Sequence, residues 1–439
     1  MPRFLAIWLA ATLVLAAAVL ALNVAVDPYG ILGTPRIPGL TADKLSAADR
    51  PRLTKPYLVE QTGPAGPWST LVMGASNADV GFDPNSQAWP AETRPVFNLA
   101  IDGADTDVQA RFLQHALATN RPKLVLIGLS LEDAMIYPVT RRLSAAASTQ
   151  YVFESRLRVR PDGSPNPDHA RARLEDFGFA TFSTQALTDS LATLIRQNDP
   201  ERTHETAEGF NTAGSFARWV RTEGSYSLVM NKDRERTPQL LSWSFDARTQ
   251  MAGIASMIRD SRAKGARVIV FMMPGYVDQL EIMRQTGITP LFERWKQDVA
   301  RTVEQQAGAE PIPLWDFSGY GPYTTEPLPG PGDTKTPLRW FWEFVHFRAA
   351  LGDLMVRRML GAGGPPDLGE TVTTASLPAR FAAYARAQQD WVASHPADVA
   401  RIAQVVDAAA HQVCGTPIAG CPKPGVRQSP APDTKRSIP

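Results

Sequence analysis

A serine hydroxyl attacks an acyl carbon only when a neighbouring imidazole takes its proton, and the imidazole works best when a carboxylate fixes its tautomer. The chain holds candidates for all three roles: Ser76 in Gly74-Ala75-Ser76-Asn77, and Glu343 three positions before His346. Residues i and i+3 share one face of a helical turn, which would let Glu343 reach Nδ1 of His346 while Nε2 faces Ser76. Each residue also has an ordinary reading. Ser76 alone would make a good helix N-cap, and His346 alone a satisfied surface histidine. Asp316 is a rival carboxylate.

Elements that could position these groups follow from hydrophobic periodicity. Short apolar runs at Ser69–Met73, Pro95–Ala100, Lys123–Ile127, Ala266–Met273 and Pro311–Trp315 read as buried strands. Helical periodicity fits Asp107–Thr119, Phe245–Lys264, Leu291–Gln306 and Phe347–Leu360. Continuous apolar strands alternating with amphipathic helices predict an α/β fold: a three-layer α/β/α sandwich with a parallel, flavodoxin-like sheet of about five strands. Ligands of such sheets bind at the carboxyl ends of the strands. Small or polar residues stand at each of these edges here: Ser76 and Asn77, then Asn98 and Gly103, then Ser130, Gly275 and Asp316. Ordinary βα turns share that composition.

Read together, three blocks are more specific. Gly74-Ala-Ser76-Asn-Ala-Asp-Val-Gly81-Phe-Asp-Pro84 resembles the first block of SGNH-fold hydrolases and their bacterial acetyltransferase-like relatives. Phe97-Asn98-Leu99-Ala100 leading to Gly103 resembles their second block, and Trp342-Glu343-Phe344-Val345-His346 through Gly352 their last. The resemblance implies Ser76 as nucleophile, His346 as base, Glu343 in place of the usual Asp, and the amides of Ser76 and Gly103 as an oxyanion hole. The third block departs: where those hydrolases carry an asparagine, this chain has Gly128-Leu-Ser130-Leu-Glu-Asp133. Ser130 or Asn98 would then supply the missing donor, with Asn77 also facing substrate.

Phe4–Leu22 is apolar apart from Thr12, long enough to cross about 30 Å of hydrocarbon. No small-x-small cleavage site follows, so residues 1–26 read as an uncleaved transmembrane helix in the inner membrane, with the rest exported to the periplasmic side. Residues 27–67 form a Pro/Gly-rich connector, 68–136 and 241–362 the α/β core, 137–240 an insertion that is either a cap beside the site or surface decoration, and 363–439 a helical segment ending in a disordered tail. Arginine and lysine (45) balance aspartate and glutamate (44), which disfavours a charge-driven nucleic-acid binder. Cys414 and Cys421 close a small loop in an oxidising compartment, or remain free thiols. The histidines lack metal-ligand spacing, so neither metal nor other cofactor is expected.

The aromatics Trp340, Phe341 and Trp342 beside the Glu343–His346 pair either stack on sugar faces or pack a core. By resemblance to single-pass proteins of alginate acetylation and teichoic-acid D-alanylation, the expected activity is a serine esterase or O-acyltransferase on an envelope polysaccharide, with a multipass membrane acyltransferase as possible acyl donor. A non-catalytic envelope glycan-binding or assembly factor that retains the fold is the alternative.

Overall fold

The computed structural model describes residues 2–61, 67–136, 153–242 and 244–421. Eight strands appear in chain order among them: β1 Thr70–Met73, β2 Val96–Asn98, β3 Leu124–Leu129, β4 Met135–Ile136, β5 Ser244–Phe245, β6 Arg267–Met272, β7 Leu314–Asp316 and β8 Glu370–Thr371. Strands β4 and β5 pair with each other, and the remaining six form one sheet in the order β2-β1-β3-β6-β7-β8. The fold is mixed α/β and the sheet is mostly parallel, since only β8 runs antiparallel to its neighbour β7. The five apolar runs of the sequence are the five parallel strands. Leu71, Val72, Val125, Leu126, Ile269 and Val270 are all fully buried, which explains why these runs lack a polar alternation.

The helices follow the expected segments closely: Thr106–Thr119, Ala247–Ala263, Thr289–Ala307 and Ala349–Met359. Aspartates fix two of their starts. Asp105 accepts the amide of Val108 at 2.9 Å, and Asp246 that of Thr249 at 3.0 Å, satisfying donors that a helix leaves unpaired.

Three parts of the expected organisation change. The sheet gains β8, whose Glu370 and Thr371 are exposed and so carry no apolar signal. The connector is folded, with helix Pro51–Glu60 and buried Tyr29, Ile31, Tyr57 and Leu58. The segment after residue 362 is part of the body: helices Leu377–Ser394 and Pro396–Cys414 bring Trp391, Ile402 and Val406 into the main core. Arg401 pins the second of them, pairing with buried Asp278 at 2.6 Å. Cys414 and Cys421 are disulfide-bonded, and the expected tail from 422 to 439 lies outside the described residues.

Within the insertion, 137–152 also lie outside the described residues. Its helices are His169–Phe182, Thr184–Ile195 and Gly214–Ser242, the last interrupted at Gly224 (φ 84°, ψ 161°). The N-terminal helix Pro2–Val26 is long and apolar enough to cross a membrane over Arg3–Val26, a span with mean hydropathy 2.6.

The helix that starts at Ser76 (Ser76–Gly81) and the helix that follows His346 (Ala349–Met359) touch through two glycines. A Cβ on Gly352 would collide with the carbonyl of Gly81, and one on Gly81 with the Phe347 ring. Gly352→Ala should therefore destabilise the protein by about 1–3 kcal/mol, seen as a lower thermal midpoint. An unchanged midpoint would mean that this contact yields freely.

Candidate active site

The turn after β1 delivers Ser76. Gly74 must lack a side chain there, because a Cβ would lie 2.6 Å from the Ala78 Cβ and 2.9 Å from the Met273 Cε. Ala75, not Ser76, occupies the N-cap position, and no side chain caps the helix. The capping role for Ser76 is thus excluded. Its hydroxyl is hydrogen-bonded to His346 Nε2 at 2.8 Å instead.

Glu343 and His346 meet by a route other than a helical turn. They lie in a loop closed by an isolated bridge between Phe341 and Phe347, with Trp342 N–H donating to His346 O at 2.8 Å. Within it, Glu343 Oε1 accepts both the His346 amide (3.3 Å) and Nδ1 of the ring. The carboxylate is buried, which works to raise its pKa. The neighbouring imidazole, with Lys232 and Arg236, more than offsets this and holds it below the usual carboxylate value. An ionised Glu343 can only accept, so the proton on Nδ1 faces it and Nε2 is left as the acceptor facing Ser76. The Phe216 ring of the insertion lies 5.2 Å from the His346 ring, and Phe216 also packs 6.0 Å from Trp342. These contacts restrict the imidazole to one orientation.

The other expected site residues separate into different roles. Gly103 follows Ile101, whose amide donates to Gly74 O at 3.0 Å, so the loop after β2 runs beside the Ser76 turn. Among the described residues, no acceptor takes the amide hydrogens of Ser76 or Gly103. Asn98 is not a free donor. Its Nδ2 is spent on the carbonyls of Ala78 (2.9 Å) and Phe82 (2.9 Å), and Oδ1 accepts from Ala100 N at 3.1 Å. It clamps the Ser76 helix to β2. Ser130 bonds Asp133 through both its amide (3.1 Å) and its hydroxyl (3.0 Å), so its hydroxyl hydrogen is likewise committed. Asn77 and Ser130 line a cavity of about 20 Å³ together with Glu132, Gly275, Gln279 and Val345, room for about one water. Asp316 is not the triad acid: it is buried against Lys296 (2.8 Å) and accepts from the Ser318 hydroxyl (2.7 Å).

Sequence reasoning did not find Asp79, three residues after Ser76, which forms a buried ion pair with Lys55 of the connector at 2.5 Å. Nor did it find the Phe216 contact. Of the aromatics beside the pair, Phe341 packs in the main core and Trp342 in a cluster with Val80 and Leu228. Among the described residues, no group of histidine, cysteine and carboxylate side chains is arranged to hold a metal. Compared with known proteins, the chain matches no protein-family model and no curated protein.

Glu343→Gln should keep the fold but lower any Ser76-dependent turnover by about 10⁴-fold, because an amide can donate to Nδ1 and select the wrong tautomer. A loss under tenfold would remove Glu343 from the mechanism. Burial pushes the Asp133 carboxyl up to about 7, against a free value near 3.8. The folded state binds this proton more tightly, so its contribution is full below about pH 4 and is lost as pH rises to about 7. Asp133→Asn should gain in thermal midpoint relative to the parent across that window. A difference that stays flat with pH would contradict the assignment.

Proposed function

We propose that the chain is a membrane-anchored serine esterase or O-acyltransferase of SGNH type, acting on acyl esters of an envelope glycan. The observation that carries this reading is the Ser76 Oγ–His346 Nε2 separation of 2.8 Å, with Glu343 on the opposite ring nitrogen. That is within the reach general-base catalysis needs. The order of the parallel strands, β2-β1-β3-β6-β7, is that of a flavodoxin-like sheet and supports a doubly wound, three-layer architecture. Ser76 and Gly103 then sit at the carboxyl edge, where such sheets bind ligands.

In the proposed reaction, His346 Nε2 takes the Ser76 proton as Oγ bonds to the acyl carbon. The amides of Ser76 and Gly103 receive the charge that develops on the carbonyl oxygen. Collapse breaks the bond to the leaving alkoxide, which takes the proton from Nε2 and leaves acyl-Ser76. Water or a sugar hydroxyl then repeats the sequence, giving hydrolysis or transfer. A multipass membrane acyltransferase is a suitable acyl donor for transfer. The Cys414–Cys421 disulfide fits an oxidising, extracytoplasmic compartment, and the N-terminal apolar helix fits an inner-membrane anchor.

The non-catalytic alternative, a glycan-binding or assembly factor, draws on the committed Ser130 hydroxyl and the absent third-block asparagine. A single experiment separates the two. Wild-type protein should be labelled by a fluorophosphonate probe and release acetate from acetylated glycans, and Ser76→Ala should lose both. Labelling that persists in Ser76→Ala would overturn the nucleophile. Wild-type protein that binds polysaccharide but shows neither labelling nor turnover would favour the binding factor.

A further inference from the structure

A helix on a soluble surface turns its apolar residues inward. Thr184–Ile195 does so only in part, through buried Ala186. Ser190 and Thr193 are fully buried on its inner side, whereas Leu191 is 45% exposed and Ile195 80% exposed. Leu187, Leu191, Leu194 and Ile195 recur at i, i+4, i+7 and i+8, one continuous helical face. Phe182, just before the helix, is 67% exposed. The segment has no basic residue, and its one acid, Asp189, accepts a hydrogen bond from Tyr29 at 2.6 Å. Exposed Arg196 follows directly, where a long side chain can lie along an apolar surface and keep its charge in water.

The inner side of this helix rests on the end of the apolar anchor. Ser190 Oγ donates to Asn23 Oδ1 at 2.9 Å, and Asn23 Nδ2 donates to Thr181 O at 3.0 Å. Contacts along the preceding helix run steadily toward the anchor. Asp176 meets Tyr57 (2.6 Å), Phe179 meets Tyr29 (5.7 Å), and Thr181 meets Asn23. The turn at Phe182 and the inner side of the helix after it therefore both reach the anchor. The 24 residues of Arg3–Val26 extend about 36 Å as a helix, against about 30 Å of hydrocarbon, so Asn23 falls near the edge of the apolar layer.

We infer that helix Thr184–Ile195, with Phe182, lies in the interfacial layer of the bilayer and makes a second membrane contact beside the anchor. The partner is lipid: an uncharged leucine-rich face that continues from a membrane helix matches acyl chains and the headgroup boundary. Polar Ser190 points inward because the protein side of this helix, not the outer side, offers it Asn23 as a hydrogen-bond partner. Two contacts fix the orientation of the domain on the membrane, which a single helix leaves free to swivel. This inference rests on the anchor crossing the bilayer and is independent of the chemistry at Ser76.

The test uses the full chain in phospholipid vesicles carrying nitroxide-labelled acyl chains. Single variants Phe182→Cys, Leu191→Cys and Ile195→Cys receive an environment-sensitive fluorophore; Leu13→Cys reports the anchor and Arg301→Cys the water-exposed surface. Emission from positions 182, 191 and 195 should shift to the blue and be quenched to an extent comparable with position 13, while position 301 is not. If 191 and 195 behave like 301 while 13 is quenched, the interfacial contact is wrong and the anchor stands. If 13 is also unquenched, both fall. Blue-shifted but unquenched emission at 191 and 195 would place a protein, not lipid, on this face and overturn the proposal.

Discussion

The distance over which Ser76 can pass a proton to His346 depends on two helices meeting with no side chain between them. Gly352, on the helix after His346, stands directly against the Gly81 carbonyl of the helix that begins at Ser76. Phe347 fills the remaining space, 5.5 Å from the Phe82 ring and completely buried. Close-packed interiors transmit displacement rather than absorb it. A shift at this contact would therefore appear as a longer Ser76–His346 separation, and the 2.8 Å hydrogen bond is the outcome of backbone packing as much as of side-chain chemistry.

Other parts of the chain reinforce this placement. Asn98 ties the Ser76 helix to β2, and Lys55 of the connector reaches Asp79 on that helix. The insertion adds a third tie, since Asn98 N donates to Glu208 O at 2.8 Å and Asn211 N to Asp79 O at 3.3 Å. Connector and insertion both also contact the end of the apolar helix, through Lys44 on the Val26 carbonyl and Ser190 on Asn23. Residues at the end of the apolar helix and residues that form the site thus belong to one packed body. The insertion lies against the triad through Phe216, which a surface decoration would not do.

Much of the sheet was legible because strands buried on both faces must be apolar throughout, as Leu71–Met73 and Val125–Ile127 are. Strand β8 was not, because two exposed residues pairing at an edge need no pattern of their own. The C-terminal helices were recognisable as helices, yet their docking depends on Arg401 meeting Asp278, 123 positions earlier, and no local signal encodes such a pairing. The Glu343–His346 spacing suggested the right partners through the wrong geometry. A bridged loop brings the side chains together as effectively as a helical turn would.

By itself, the sequence determined the apolar N-terminal helix, the parallel strands and the pairing of Glu343 with His346, since each is written in local composition or short spacing. Only the tertiary structure decided which polar groups remain available. Asn98, Ser130 and Asp316 have the right types for a site, but packing commits them to Ala78 and Phe82, to Asp133 and to Lys296. A side chain's chemistry is set by its type, whereas its freedom to act is set by what folding brings within hydrogen-bond distance.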